Sequence, residues 1–325
     1  MKNINTLKKA LEKRDIQMNL SVPSEWVSTG NMALNYCITG DFYKGVPNKR
    51  SMVVAGPSGS GKSLLAGTIA KNWQDKGYYV IYIDTEDAID PQYLDRIGLN
   101  MNEDVFLPLR ISTIEELTEI MSDVFKNYQE NDKLCIVVDS ASMLETEKEL
   151  DAFEKGELSN DMGLFSKKLK QLWKNINVKV GDKDISFLAT EHTYLNQDIK
   201  NGKGKYIVSG GEAQLYIPSI TLMFDKLKLK EGTEISGFRL KSETIKTRFS
   251  KLGSKCELRI PYETGIDKYD GVLDILEKEG YVNRNGAWYN YTKDGEEIKF
   301  QSKDFNKHIE NLLPKEKEVV EEQEN

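Results

Sequence analysis

The sequence predicts an α/β fold in which a mostly parallel central sheet is flanked by helices. Three observations predict it. Short continuous apolar runs recur at residues 52–55, 79–83, 134–138, 185–190 and 220–224; runs without polar alternation are how strands buried on both faces read. Helical stretches separate these runs, as crossovers between parallel strands require. The first run opens directly into a glycine-rich turn and then a helical pattern, LLAGTIAKNW.

Taken in order, residues 4–20 read as a short amphipathic helix with Ile4, Leu7, Leu11 and Ile16 on one side. Pro23 and the turn-rich VSTGN end it. The strand and helix alternation occupies the middle of the chain. After residue 225 the character changes. Residues 237–245 and 256–261 are β-rich, with a Ser/Gly/Lys turn between them, and read as an antiparallel hairpin at the sheet edge. Residues 271–312 read as a small α/β appendage with a helix near Val272–Lys278. From Pro314 the chain runs KEKEVVEEQEN, five Glu against two Lys, the composition of a disordered acidic tail.

A length of 325 residues fits one large domain or a core with small appendages. The 39% hydrophobic content is enough for a packed core, and the net charge of −7 argues against a uniformly basic nucleic-acid coat. A local basic stripe remains compatible with that sum. Cys37, Cys135 and Cys256 are far apart and show no C-x-x-C spacing, so zinc and disulfide frameworks are not expected and a reducing cytoplasm is the natural compartment. The first residues, MKNINTLKKALEKRD, lack the apolar segment of a signal peptide. No apolar run approaches the roughly 20 residues of a membrane helix.

Gly56-Pro57-Ser58-Gly59-Ser60-Gly61-Lys62-Ser63 fits G-x-x-x-x-G-K-[ST] without a mismatch, between a strand and a helix pattern. Its backbone N–H groups can curl around phosphate oxygens at a helix N-terminus. Lys62 would reach the β- and γ-phosphates of ATP, and Ser63 would ligate Mg²⁺. A second apolar strand ends in Asp139, where P-loop ATPases hold the Mg²⁺ shell.

The stretch YIDTEDAIDPQYL at 82–94 places Asp84, Glu86, Asp87 and Asp90 at a strand end. A calcium loop does not fit, because Ile89 stands where its glycine is needed. Two readings stay open. One is a solvated acid cluster with Asp90 capping a helix that has Pro91 at its first position. The other is catalytic, with Glu86 just past the strand end aiming a water at the γ-phosphate.

At this point the chain resembles the RecA-type recombinases. STGN at 28–31, AGPSGSGKS at 55–63, YIDTEDAIDPQYL at 82–94, CIVVDSAS at 135–142 and DMGLFSKKLKQLWK at 161–174 occur in that family's order and spacing. ATEHTYLNQ at 189–197, IKTR at 245–248 and GIDKYDGVLDILEKEGYV at 265–282 look like the phage UvsX-type subgroup. The resemblance covers roughly residues 25 to 285. It implies a RecA-like P-loop ATPase core over 28–268, with 1–27 docking one protomer on the next, a small C-terminal subdomain over 269–313 and the acidic tail over 314–325. It also implies that Glu86 activates the attacking water and that Asp90 and Tyr93 frame the adenine. His192 would sense the γ-phosphate; bacterial members typically carry Gln there. Lys246 and Arg248 alternate around Thr247 and so share a face of a strand; the resemblance implies that they reach into a neighbour's ATP in trans.

Two stretches fit DNA. One is 156–162 with the lysine-rich helix after it. The other is 195–211, long for a connection, with Lys200, Lys203, Lys205, Tyr206 and four glycines. Lysines neutralise phosphates and an aromatic ring stacks on bases. The sequence thus points to an ATP-dependent DNA strand-exchange recombinase that uses ATP and Mg²⁺. Its expected partners are single- and double-stranded DNA, further copies of itself in a helical filament, and single-strand-binding and mediator proteins. The alternatives are a RecA-fold hexameric helicase-type motor, a non-catalytic ATP-gated DNA-binding scaffold, and a P-loop small-molecule kinase.

Overall fold

The computed structural model describes residues 2–14, 20–87, 89–158, 163–196, 206–314 and 316. In chain order the elements are α1 (Lys2–Glu12), β1 (Trp26–Val27), α2 (Met32–Thr39), β2 (Val46–Pro47), β3 (Arg50–Gly56), α3 (Lys62–Gln74), β4 (Tyr79–Asp84) and α4 (Pro91–Ile97). Next come β5 (Phe106–Arg110), α5 (Ile114–Asn127), β6 (Leu134–Asp139), α6 (Glu147–Glu154), α7 (Leu164–Gly181), β7 (Ile185–Leu195), β8 (Tyr206–Val208) and α8 (Ala213–Tyr216). The chain ends with β9 (Ile220–Glu231), β10 (Glu234–Lys246), β11 (Lys255–Pro261), α9 (Val272–Lys278), β12 (Asn283–Asn285), β13 (Trp288–Lys293), β14 (Glu296–Gln301) and α10 (Ile309–Leu312).

The large sheet has the order β11-β10-β9-β3-β7-β6-β4-β5, with β8 pairing β7 off that path. The strands from β9 to β5 run parallel, whereas β10, β11 and β8 pair antiparallel to their neighbours. Alternate residues of one strand serve two separate cores, because strand side chains have a period of two. Met52 and Val54 of β3 join Leu65, Ile69 and Trp73 of α3 in one apolar cluster. Val53 and Ala55 join Met121 of α5 and Trp173 and Ile176 of α7 in the other. Helices on both faces therefore follow from near-continuous apolar strands, as the sequence predicts.

Helix boundaries follow local chemistry. α5 and α6 open with capping boxes, Thr113 with Glu116 and Thr146 with Glu149, each satisfying end amides from both directions. α4 opens on Asp90, whose carboxylate accepts the Gln92 N–H, with Pro91 in the first turn. α3 differs: Gly61 precedes it at φ 86° and no side chain caps it.

The structure revises three expectations. The first helix spans Lys2–Glu12 and passes into a turn at Lys13 and Arg14, shorter than 4–20; residues 15–19 lie outside the described residues. β9 does not stop near residue 224. Its Lys/Leu alternation carries it to Glu231, and a turn through Gly232 at φ 63° leads back into β10. The sheet edge is thus three antiparallel strands, of which the expected hairpin, Gly237↔Pro261 through Glu243↔Lys255, is the outer pair. β8 takes up part of the long stretch after Leu195, pairing Tyr206 with Leu195. The C-terminal segment forms the sheet β12-β13-β14, and its Tyr289, Phe300 and Leu312 belong to the same apolar cluster as α2 and α3. Of the acidic tail, only Pro314 and Glu316 are among the described residues. No helix among the described residues is long and apolar enough to cross a membrane.

Candidate nucleotide site

A cleft of about 360 Å³ opens where the parallel strands end. β3 runs into the phosphate loop at Gly56, which a Cβ could not occupy without approaching Phe224 Cβ to 2.9 Å. Gly59 and Gly61 take φ values of 67° and 86°, a region that favours glycine. Because α3 has no side-chain cap, its first N–H groups stay open to the loop. The Lys62 ammonium folds back onto the carbonyls of Gly56 and Pro57 at 3.0 and 3.1 Å. Burial lowers its pKa, and the nearby Asp139 and Glu86 carboxylates pull the other way. Ser60 is fully buried and its Oγ has no partner. Open amides, a buried ammonium resting only on the loop's own carbonyls and an unpartnered hydroxyl together fit a polyphosphate.

Asp139 ends β6, where its carboxylate accepts hydrogen bonds from Tyr82 Oη at 3.1 Å and from Thr190 Oγ1. Ser63 is exposed and faces the same cleft. Among the described residues no group of three His, Cys, Asp or Glu gathers. The donors present suit Mg²⁺, which binds through one or two protein oxygens plus substrate phosphates and water.

The four acids of the 82–94 stretch separate by what they touch. Asp84 spends both carboxylate oxygens on the turn after it, accepting Glu86 N–H at 2.9 Å and Ile89 N–H at 3.1 Å. Asp87 pairs with Arg110 at 2.6 Å, both largely exposed, an arrangement of small energetic value. Asp90 is the cap of α4. Glu86 alone of the four lines the cleft, and its Oε1 meets His192 Nε2 at 2.7 Å. A carboxylate only accepts, so this contact places a proton on Nε2. His192 lies on β7 opposite Gly56, and its backbone N–H donates to Ser142 Oγ at 2.8 Å.

Tyr93 closes another wall, and burial beside Asp139 pushes its pKa up to about 12. It shares the cleft with Phe238, Ile260, Pro261, Tyr262 and Gly265 of the antiparallel edge. Phe238, Ile260, Pro261 and Tyr262 carry no local motif, and the pairing of β10 with β11 brings them here.

Glu191 was also missed by the sequence reading. It is fully buried between Thr190 and His192, and neither carboxylate oxygen has a well-formed hydrogen bond, Ser142 being the donor beside it. Burial raises its pKa well above the carboxylate range, and the Lys62 ammonium and Ser142 pull the other way. The Ser142 hydroxyl is already engaged by His192 N–H and by Ser140 Oγ at 3.1 Å.

Known proteins share this frame. A profile described as the RecA N-terminal domain matches residues 3–267. The chain belongs to the RecA family. It is 27% identical over 262 residues to the "Recombination and repair protein" of Enterobacteria phage T4, covering 80% of this chain and 64% of that protein. It is 27% identical over 289 residues to "Protein RecA" of Marinobacter nauticus, covering 88% of this chain and 79% of that one. Against "Protein RecA" of Synechococcus sp. strain CC9311 it is 28% identical over 271 residues, covering 83% and 68%. The chain therefore spans just under two thirds of the phage protein's length.

In this RecA-family chain Lys246 and Arg248 sit away from the cleft. Lys246 pairs with Thr221, which is level with Val53, and its ammonium donates to the carbonyls of Tyr216 and Ile217. Arg248 is exposed and close enough to Arg50, at the start of β3, to lower that guanidinium's pKa beyond what burial does. Neither lines the cleft of its own protomer.

Of the expected DNA contacts, Lys200, Lys203 and Lys205 lie outside the described residues, as do residues 159–162. Tyr206 is half-buried in β8, and its hydroxyl donates to Asp225 Oδ1 at 2.6 Å. On α7, Lys168 pairs with Glu115, while Lys167, Lys170 and Lys174 are exposed.

Proposed function

We propose that this chain is a DNA-dependent ATPase that forms helical filaments on single-stranded DNA and catalyses homologous pairing and strand exchange. The observation that carries the proposal is the Glu86–His192 contact across the phosphate-loop cleft. It joins the carboxylate best placed to orient a water to the strand from which the 195–206 segment departs.

In this reading the amides of Gly59 to Ser63 and the Lys62 ammonium bind the ATP phosphates, and Ser63 and Asp139 hold Mg²⁺. When bound, Mg²⁺ neutralises phosphate charge and orients the triphosphate. Tyr93 and Tyr262 flank the base, and Asp90 holds the helix that carries Tyr93. Glu86 orients the attacking water once His192 releases it. His192 turns toward the phosphate end, and because it belongs to β7 its movement shifts Leu195 and the segment beyond. DNA held by Lys200, Lys203 and Lys205 biases the same strand from the other side. Lys246 and Arg248, remote from their own cleft, serve the nucleotide of the next protomer, where two cations stabilise charge on the phosphoryl group.

The exposed Ile4 and Leu7 of α1 support a docking role for segment 1–27. Beside it the reading keeps an ATPase core (28–268), a C-terminal subdomain (269–313) that packs into the same apolar cluster as α2 and α3, and a tail (314–325). The test is ATP turnover with and without single-stranded DNA, with negative-stain imaging of the same samples. Stimulated turnover and open helical filaments are expected. Unstimulated turnover, or closed rings, would reject the reading.

A further inference from the structure

The 195–206 segment has two stems, and both lead to the nucleotide cleft. The first is β7, which reaches Glu86 through His192. The second begins at Tyr206, paired with Leu195 across the neck of the segment. The Tyr206 hydroxyl donates to Asp225 Oδ1 at 2.6 Å, and the same oxygen accepts the Lys226 backbone N–H at 2.9 Å. The Lys226 ammonium then donates to the carbonyl of Ser58, inside the phosphate loop, at 2.5 Å.

The position of Lys226 is specific. β9 runs beside β3 as far as Met223 opposite Ala55, so Asp225 and Lys226 extend past the strand end into the space where the phosphate loop turns. The glycine at position 59 makes that approach possible, since a Cβ there would stand 2.7 Å from the Lys226 Nζ. Lys226, Lys228 and Lys230 share one face of β9. Among the described residues, the Lys228 and Lys230 ammonium groups make no hydrogen bond or ion pair, their backbones pairing with β10. A long exposed side chain loses rotamer freedom when it is fixed, and of these three only Lys226 is fixed, on the loop.

We infer that Lys226 is a positioning residue for the phosphate loop, tied through Asp225 to Tyr206 so that the state of the 195–206 segment is transmitted to the phosphate cradle. The inference rests on the DNA-binding reading above and adds a second route to it. His192 carries the segment's state to the hydrolytic carboxylate. Lys226 carries it to the binding loop, because the orientation of the Ser58 carbonyl sets the direction of the amides that follow it. Tyr206 thus acts through its hydroxyl rather than by stacking on a base.

The test is equilibrium titration of the full chain with a fluorescent, non-hydrolysable ATP analogue, with and without single-stranded DNA. The ratio of the two Kd values measures the coupling, which for a linked pair of sites should be about fivefold or more in the unaltered protein. Lys226→Met and Tyr206→Phe should each bring the ratio to within about twofold of one, while Lys226→Arg should restore it because guanidinium can also donate to the carbonyl. The double variant Tyr206→Phe/Lys226→Met should lose no more than either single change, as expected for one shared path. Full coupling in Lys226→Met, or additive losses in the double variant, would overturn the inference. So would a protein that binds both ligands without coupling, although DNA-stimulated turnover could then still stand. A protein that binds no single-stranded DNA would overturn the functional reading and this inference together.

Discussion

Both ends of the central strands bury polar groups, and the unsatisfied ones beside the cleft at the carboxyl end contrast with a satisfied cluster around Asn48 at the amino end, although Ser186 Oγ at the start of β7 also lacks a partner. At the amino end Asn48 is fully buried and satisfied. Its Oδ1 accepts the Ser24 and Glu25 N–H groups at 2.9 and 3.1 Å, and its Nδ2 donates to Asp184 at 2.7 Å and to Tyr78 Oη at 3.1 Å. Lys133 closes onto Glu25 at 2.5 Å alongside it. At the carboxyl end Ser60 Oγ has no partner, neither Glu191 oxygen has a well-formed hydrogen bond although Ser142 stands beside them, and Lys62 rests on backbone carbonyls. Folded chains satisfy the great majority of buried polar groups, so unsatisfied ones grouped beside a cleft mark where a ligand completes the structure.

That contrast can be broken by substitution. The largest effect is expected from Glu86→Gln, which keeps the size of the side chain but not its charge. It should lower ATP turnover by roughly 10²- to 10⁴-fold, the range of a general base, while nucleotide binding persists. Retained turnover would remove Glu86 from catalysis. At the other end, Asn48→Ala should cost about 1–3 kcal/mol per partner left unsatisfied, read as a lower denaturant midpoint, with turnover unchanged. Lost turnover without lost stability would erase the division between the ends.

Glu191 gives a test in pH. Its folded pKa is raised, so its contribution to stability is fully present below the unfolded carboxylate value and is lost as pH rises toward the folded value. Glu191→Gln cannot ionise. Its stability advantage over the unaltered chain should therefore widen as pH rises above the unfolded carboxylate value, measured as Tm in a pH series. A constant difference would contradict the assignment. The smallest effect is expected from Tyr262→Ala, which should raise KM for ATP by severalfold at unchanged kcat, in line with about 0.5–1.5 kcal/mol for an aromatic contact.

Much of this was legible in the sequence, for physical reasons that differ by element. The phosphate loop is contiguous, and its glycines answer a backbone requirement that any reader of the string can see. The buried strands announce themselves because both faces are apolar. The extension of β9 to Glu231 was missed because alternating Lys and Leu at an exposed edge carries little apolar signal. Asp84 and Glu86 look alike in the string, and only the turn between them decides that Asp84 binds backbone while Glu86 faces the cleft. Phe238, Tyr262 and Lys226 reach the site through strand pairings distant in sequence, and nothing near them marks that role. Tyr206 looked like a free aromatic in a loop, but pairing with Leu195 places it in a strand with its hydroxyl engaged by Asp225.

The central claim is that this cleft drives strand exchange rather than unwinding. The most direct measurement mixes the protein, ATP and Mg²⁺ with a circular single strand and a linear duplex and follows joined products. Joined products are expected only when the two DNAs share sequence and ATP is present. Products that form regardless of homology, or separation of a forked duplex with no joined products, would contradict it.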